Sequence, residues 1–182
     1  MQSSGDSSVR MCDSNLPEGL IFSLRHVYAA AGMQTSAAPV RELEGSEYGA
    51  CRLGLEGRSV VFREARVTPK KIGQFVTMWK RSSPDGPIAP LDAGDAVDFV
   101  VVWVAEAGRR GQFVFDRATL IDRDVMSEQG LGGKRAIRVY PPWSRPVAKQ
   151  ALATQRWQAD RFLGVDADGG VDVRRVLGLF GA

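Results

Sequence analysis

The chain has little with which to perform metal, redox or nucleophilic chemistry. Its 182 residues include two cysteines, Cys12 and Cys51, and a single histidine, His26. Two isolated cysteines give neither a disulfide framework nor a zinc-ligand spacing, which suits a reducing cytoplasm. His26 lies among apolar residues at helical spacing with no base–nucleophile constellation around it, so a structural role is expected. Long hydrophobic runs are missing as well. The longest, Val97 to Ala105, is interrupted by Asp98 and falls far short of the ~20 apolar residues of a membrane span. Met1 to Asn15 is rich in Ser, Asp and Gly and lacks an apolar h-region. It reads as a disordered tail, not a signal peptide. The expectation is a soluble, cytoplasmic protein without a membrane partner, its oligomeric state left open.

One further absence is more informative: no acidic residue occurs between Ala65 and Pro84, where five basic residues stand. Between Gly133 and Leu163 lie seven more, Lys134, Arg135, Arg138, Arg145, Lys149, Arg156 and Arg161, against Asp160 alone. The remainder of the chain holds 12 basic and 20 acidic residues, so the net charge of +3 hides a strong asymmetry. If the fold joins the two blocks, they make a basic patch of the kind that meets nucleic acid. Separate solvated basic faces are the bland alternative.

What is present is otherwise ordinary. Hydrophobic residues make up 44% and charged residues 25%, enough for one domain with a proper core. Leu20 to Gly32 carries Ile21, Leu24, Val27 and Tyr28 at helical spacing, with Gly32 as a stop. Ala50 to Leu55 and Arg58 to Val67, split by Glu56-Gly57, predict a hairpin. Thr68 to Arg81 predicts a helix: Thr68 suits the N-cap, Pro69 the first helical position, and Ile72, Phe75, Val76 and Trp79 one apolar face. On that reading Lys70, Lys71, Lys80 and Arg81 line its cationic back, and Phe75 and Trp79 are core. Pro84-Asp85-Gly86-Pro87 marks a rigid loop. Asp98 to Ala105 predicts a strand covered on both faces, followed by a strand over Gly111 to Phe115 and a short helix or turn from Ala118 to Leu120. Lys134 to Tyr140 alternates as a strand, with Ala136 and Arg138 on one face and Ile137 and Val139 on the other. Pro146 or Val147 to Phe162 predicts a second long helix. The order of elements indicates an α+β domain, a central mixed sheet flanked by helices. The domain is expected to run from residue 16 to 165, followed by a C-terminal extension from 166 to 182.

Several motifs then resemble the bacterial MepB-like family. They are Phe62-Arg63, Ala65-Arg66, the segment Thr68 to Arg81, Gly111-Gln112-Phe113-Val114-Phe115, Gly133-Lys134-Arg135, Arg138-Val139-Tyr140-Pro141-Pro142-Trp143 and Thr154-Gln155-Arg156-Trp157-Gln158. They cover roughly Leu20 to Leu163 in the expected order. The resemblance implies a restriction-endonuclease-like fold and binding of double-stranded DNA. Two departures stand out: Arg66 where the family pattern suggests Lys, and Asp116-Arg117 where Pro-Lys is typical.

Nucleases of that fold hold Mg²⁺ with clustered carboxylates and place a Lys near the attacking water. Here Asp98 opens a core strand, but Gln112-Phe113-Val114 on the next strand offers neither a second carboxylate nor a Lys. The other triplet, Glu64-Ala65-Arg66, has Glu47 or Glu44 upstream and ends in an Arg, whose pKa is too high to share a proton. The metal site thus reads as broken. The leading expectation is a DNA-binding protein without cofactor that places Lys70, Lys71, Lys80, Arg81, Lys134, Arg135, Arg138 and Arg156 against duplex phosphates, with little sequence preference. The alternatives are a Mg²⁺-dependent endonuclease with a noncanonical site at Glu47, Glu64 and Asp98 (Asp98 as metal ligand), and a protein-binding regulatory module.

Overall fold

A computed structural model describes residues 15–182; the expected N-terminal tail lies almost entirely outside the described residues. The fold is α+β. It begins with α1 (Glu18–Phe22), which runs directly into a π-helical segment (Ser23–Tyr28). A six-stranded mixed sheet follows, built from β1 (Thr35–Arg41), β2 (Cys51–Leu55), β3 (Arg58–Glu64), β8 (Phe99–Glu106), β9 (Arg109–Asp116) and β11 (Phe162–Val165), in that spatial order. Only the β3–β8 pair is parallel. A three-stranded sheet, ordered β10-β5-β4, contains β4 (Arg66–Thr68), β5 (Lys71–Thr77) and β10 (Ala136–Val139). Strands β6 (Trp79–Arg81) and β7 (Ile88–Pro90) form a ribbon, and α2 (Arg117–Asp122), α3 (Lys149–Ala159) and α4 (Val173–Phe180) complete the chain. No helix among the described residues is long and apolar enough to cross a membrane.

The near-continuous apolar run of β8 follows from burial on both faces. Phe99, Val101 and Trp103 join one hydrophobic cluster, with Leu20, Val27 and Tyr28 of the N-terminal helix and Val176, Leu179 and Phe180 of α4. Val100, Val102 and Val104 join the other, with Val76 and Met78, Val139, Leu120 of α2 and the flanking Trp157 of α3. The C-terminal segment therefore closes the first core: Phe180 meets Tyr28 edge-on at 5.7 Å and lies 5.0 Å from Phe99. The small sheet, α2 and α3 close the second. In the β2–β3 hairpin Glu56 and Gly57 both take positive φ, 51° and 73°, as a two-residue turn matching the sheet twist requires.

The predicted helix over Thr68 to Arg81 is overturned. Thr68 pairs with Lys71 across a two-residue turn at Pro69-Lys70, and β5 runs out from there. Thr-Pro begins a turn as readily as a helix, because the same fixed φ suits both. Two physical features select the strand. Gly73 sits at φ +81°, outside helical geometry. The segment also carries a period of two, in which Gln74, Val76 and Met78 are buried and Lys71, Gly73, Phe75 and Thr77 face out. Two smaller corrections follow. β3 ends at Glu64, so Arg66 to Thr68 belongs to the small sheet, and Phe162 lies in β11, beyond the end of α3.

Candidate nucleic-acid interface

Pairing of β5 with β10 brings Arg138 of the second basic block beside the first. Ala136 stands opposite Thr77, Arg138 opposite Phe75 and Val139 opposite Gln74, while Arg66 on β4 stands opposite Phe75 from the other side. Directly opposed residues share a face, so Arg66, Phe75 and Arg138 form one row on the outer surface. Arg138 is tied down there. Its guanidinium donates to Thr68 Oγ1 at 2.8 Å and to the Gly73 carbonyl at 3.1 Å, and its carbon lies 5.9 Å from the Phe75 ring centroid. It thus stitches β10 to β5 and β4. The free edge of β10 is finished by a side chain: fully buried Gln158 accepts from Tyr140 N at 2.8 Å and donates to the Arg138 carbonyl at 2.9 Å.

Aromatic rings are interleaved with these guanidiniums. A 3-10 turn (Ser46–Tyr48) places Tyr48 5.9 Å from Phe75, and the Arg66 guanidinium lies 5.7 Å from the Tyr48 ring. Arg66 is held by the Glu47 carbonyl, to which its Nε donates at 2.7 Å. Tyr140 continues the outer row of β10 and lies against Gly73, where a Cβ would come within 2.7 Å of the ring. Tyr48, Phe75 and Tyr140 are half-buried, and none belongs to either hydrophobic cluster. The expectation that Phe75 is core is therefore corrected: it lines an outer face.

The eight predicted cations divide into two groups. Lys70, Lys71, Arg135 and Arg156 are exposed and have no acidic partner among the described residues. Lys70 and Lys71 mark the β4–β5 turn, Arg135 precedes β10 with its carbonyl accepting from Met78 N at 2.8 Å, and Arg156 stands on α3. The other four are engaged. Lys80 pairs with Asp95, and Arg81 lies 3.0 Å from Glu44. Lys134 donates to the carbonyls of Arg123 and Asp124 at 3.0 and 3.1 Å, and Arg138 makes the bonds just described.

The predicted carboxylates do not converge. Glu64 accepts from Gly19 N at 2.8 Å, at the start of α1. Asp98 accepts from Ser59 N at 2.9 Å and lies 3.8 Å from Arg117. In the parallel register Glu64 is opposite Trp103, five residues beyond the Ser59–Asp98 level, a separation of about 16 Å at strand rise. Glu47 lies with Glu64 at the far end, since Gly49, which closes its turn, meets the Glu64 side chain. One metal ion cannot bridge Asp98 and Glu64. No group of three or more His, Cys, Asp or Glu among the described residues is arranged to hold a metal. His26 is exposed and packs at 4.5 Å from Phe22.

Sequence reasoning found the cations but missed Tyr48, Phe75 and Tyr140 as a surface group. The signal was the alternation of Gly73, Phe75 and Thr77 with Gln74, Val76 and Met78.

A family model described as MepB-like matches residues 42–164. The crystal structure of MepB superposes with a TM-score of 0.69 at 26% identity, covering 83% of this chain and 99% of that one. A bacterial homing endonuclease reaches a TM-score of 0.41 at 17% identity over 78% of this chain and 88% of its own, too low to argue from. A search of curated proteins found no match.

Proposed function

The chain belongs to the MepB-like family, and from that premise we propose that it binds DNA through backbone phosphates, largely without sequence preference and without cutting. The observation that carries this reading is the β5–β10 pairing, which sets Arg138 of the second basic stretch in one row with Arg66 of the first. Lys70 and Lys71 supply free positive charge at one end of β5, and Arg135 supplies it at the other. Arg156 adds a charge from the helix whose Gln158 finishes the β10 edge. Lys80, Arg81 and Lys134 would have to exchange internal partners for phosphate, so they are the weaker contributors. Contacts to phosphate carry no base information directly, so little sequence preference is expected of these cations.

The residues do not fit the magnesium ion of an endonuclease. Asp98 and Glu64 sit at opposite ends of the parallel pair, each accepting a hydrogen bond from a backbone N–H, and the triplet that begins with Glu64 ends in Arg66.

The test is duplex binding followed by fluorescence anisotropy from 50 to 200 mM salt. Each phosphate contact contributes about −0.9 to the slope of log K against log salt. Four cations engaged together imply a slope near −3.6 and a loss on the order of 10²-fold over that range. Binding indifferent to salt, or none at 50 mM, rejects the proposal.

A further inference from the structure

We infer that the outer face of the β4–β5–β10 sheet takes unpaired nucleotides, whose bases stack on Phe75, Tyr140 and Tyr48 while the neighbouring cations hold the phosphates. The inference rests on the phosphate-binding reading above and names the form of nucleic acid that the same surface prefers.

Three observations carry it. The rings belong to neither hydrophobic cluster and are half-buried, although the chain buries Phe62, Phe113 and Phe115 completely. They are also set in charge. The Arg138 guanidinium carbon is 5.9 Å from the Phe75 ring centroid and that of Arg66 is 5.7 Å from the Tyr48 centroid, and the two guanidiniums are held by bonds to Thr68 and Gly73 and to Glu47 respectively. Finally, the backbone makes room. Gly73 lets the Tyr140 ring lie against the strand, and any side chain there would collide with it. Phe75 and Tyr140 are diagonal neighbours across β5 and β10, roughly 7–8 Å apart, with Lys70 and Lys71 at the adjoining turn.

A duplex hides the faces of its bases within the stack, and against it these rings would meet only sugar and phosphate. A single strand exposes every base face, and sheets that bind such strands combine a basic track with aromatic platforms. Charge complementarity alone would admit any polyanion. The rings are what single out a polyanion that carries bases.

The test uses the full chain, low salt and three labelled probes: a single-stranded oligothymidylate, an abasic strand of the same length, and a blunt duplex. The base-bearing strand is expected to bind more tightly than the abasic strand by about five- to 150-fold per stacked base. Phe75→Leu and Tyr140→Leu should each shrink that gap between base-bearing and abasic strands, with far-UV circular dichroism confirming the fold. Equal affinity for abasic and base-bearing strands overturns the inference, and this comparison needs no variant. So does displacement of the oligothymidylate by polyglutamate as readily as by more oligothymidylate. Failure of all three probes to bind refutes the phosphate reading itself, which separates the two failures.

Discussion

Removal of Gln158 tests how the small sheet is held in place. Its side chain is fully buried and acts as a one-residue strand, accepting from Tyr140 N and donating to the Arg138 carbonyl. Gln158→Leu keeps the volume close and deletes both bonds. It leaves an N–H and a C=O on the β10 edge facing an apolar group, and each unsatisfied buried group costs about 1–3 kcal/mol. The pair therefore costs roughly 2–6 kcal/mol, which for a chain of this size lowers Tm by on the order of 5–20 °C. Gln155→Leu is the control. It donates to the loop carbonyls of Pro141 and Ser144 at 3.2 and 2.9 Å from a partly exposed position, where water can replace it, so its Tm should fall by much less. Calorimetry reads the stability, and hydrogen exchange at the Tyr140 amide reads the site directly. An unchanged Tm in Gln158→Leu, or a Tyr140 amide as protected as in the parent, refutes the reasoning.

Two further outcomes follow from the same geometry. Asp92 gathers N–H donations from Gly130 and Gly94 and the Ser127 hydroxyl, which hold its carboxyl down at about 2 from the ordinary 3.8. A depressed carboxylate stabilises the fold above its unfolded pKa and loses that contribution as pH falls through the folded one. Stability should thus decline between about pH 4 and pH 2, and Asp92→Asn should flatten that part of an acid-denaturation profile; an unchanged profile contradicts the assignment. Supercoiled plasmid incubated with the chain and Mg²⁺ or Mn²⁺ should remain intact on a gel. Cleavage that disappears in both Glu64→Gln and Asp98→Asn would restore the nuclease reading.

How much of this was legible in the sequence depended on how local each cause is. The β2–β3 turn was readable because Glu56-Gly57 directly answers the need for two positive φ angles. The central strand was readable because cover on both faces leaves an apolar run with no polar alternation. Thr68 to Arg81 was not. Its apolar residues Ile72, Phe75, Val76 and Trp79 fit a period of 3.6, whereas its burial alternates with a period of two, and the choice is made by pairing with β10, far along the chain. A helical period puts Phe75 in the core and Lys70 and Lys71 on a helix back, whereas the strand puts Phe75 on the outer face. The cations of both blocks were legible as a composition anomaly. Their ion pairs were not, because Glu44, Asp95 and Asp124 approach from separate loops. The failure of the carboxylates to meet also lay beyond the sequence, since it follows from the parallel register of β3 and β8.

The claim that two basic blocks act as one interface is tested most directly by the salt slopes of paired variants. Duplex affinity would be measured across a salt series for the parent, for Lys70→Gln with Lys71→Gln, and for Arg135→Gln with Arg156→Gln. If both blocks grip the same duplex, each double substitution should make the slope shallower by about 1.8. A slope that one pair leaves untouched would contradict the joined interface and return that block to an ordinary solvated surface.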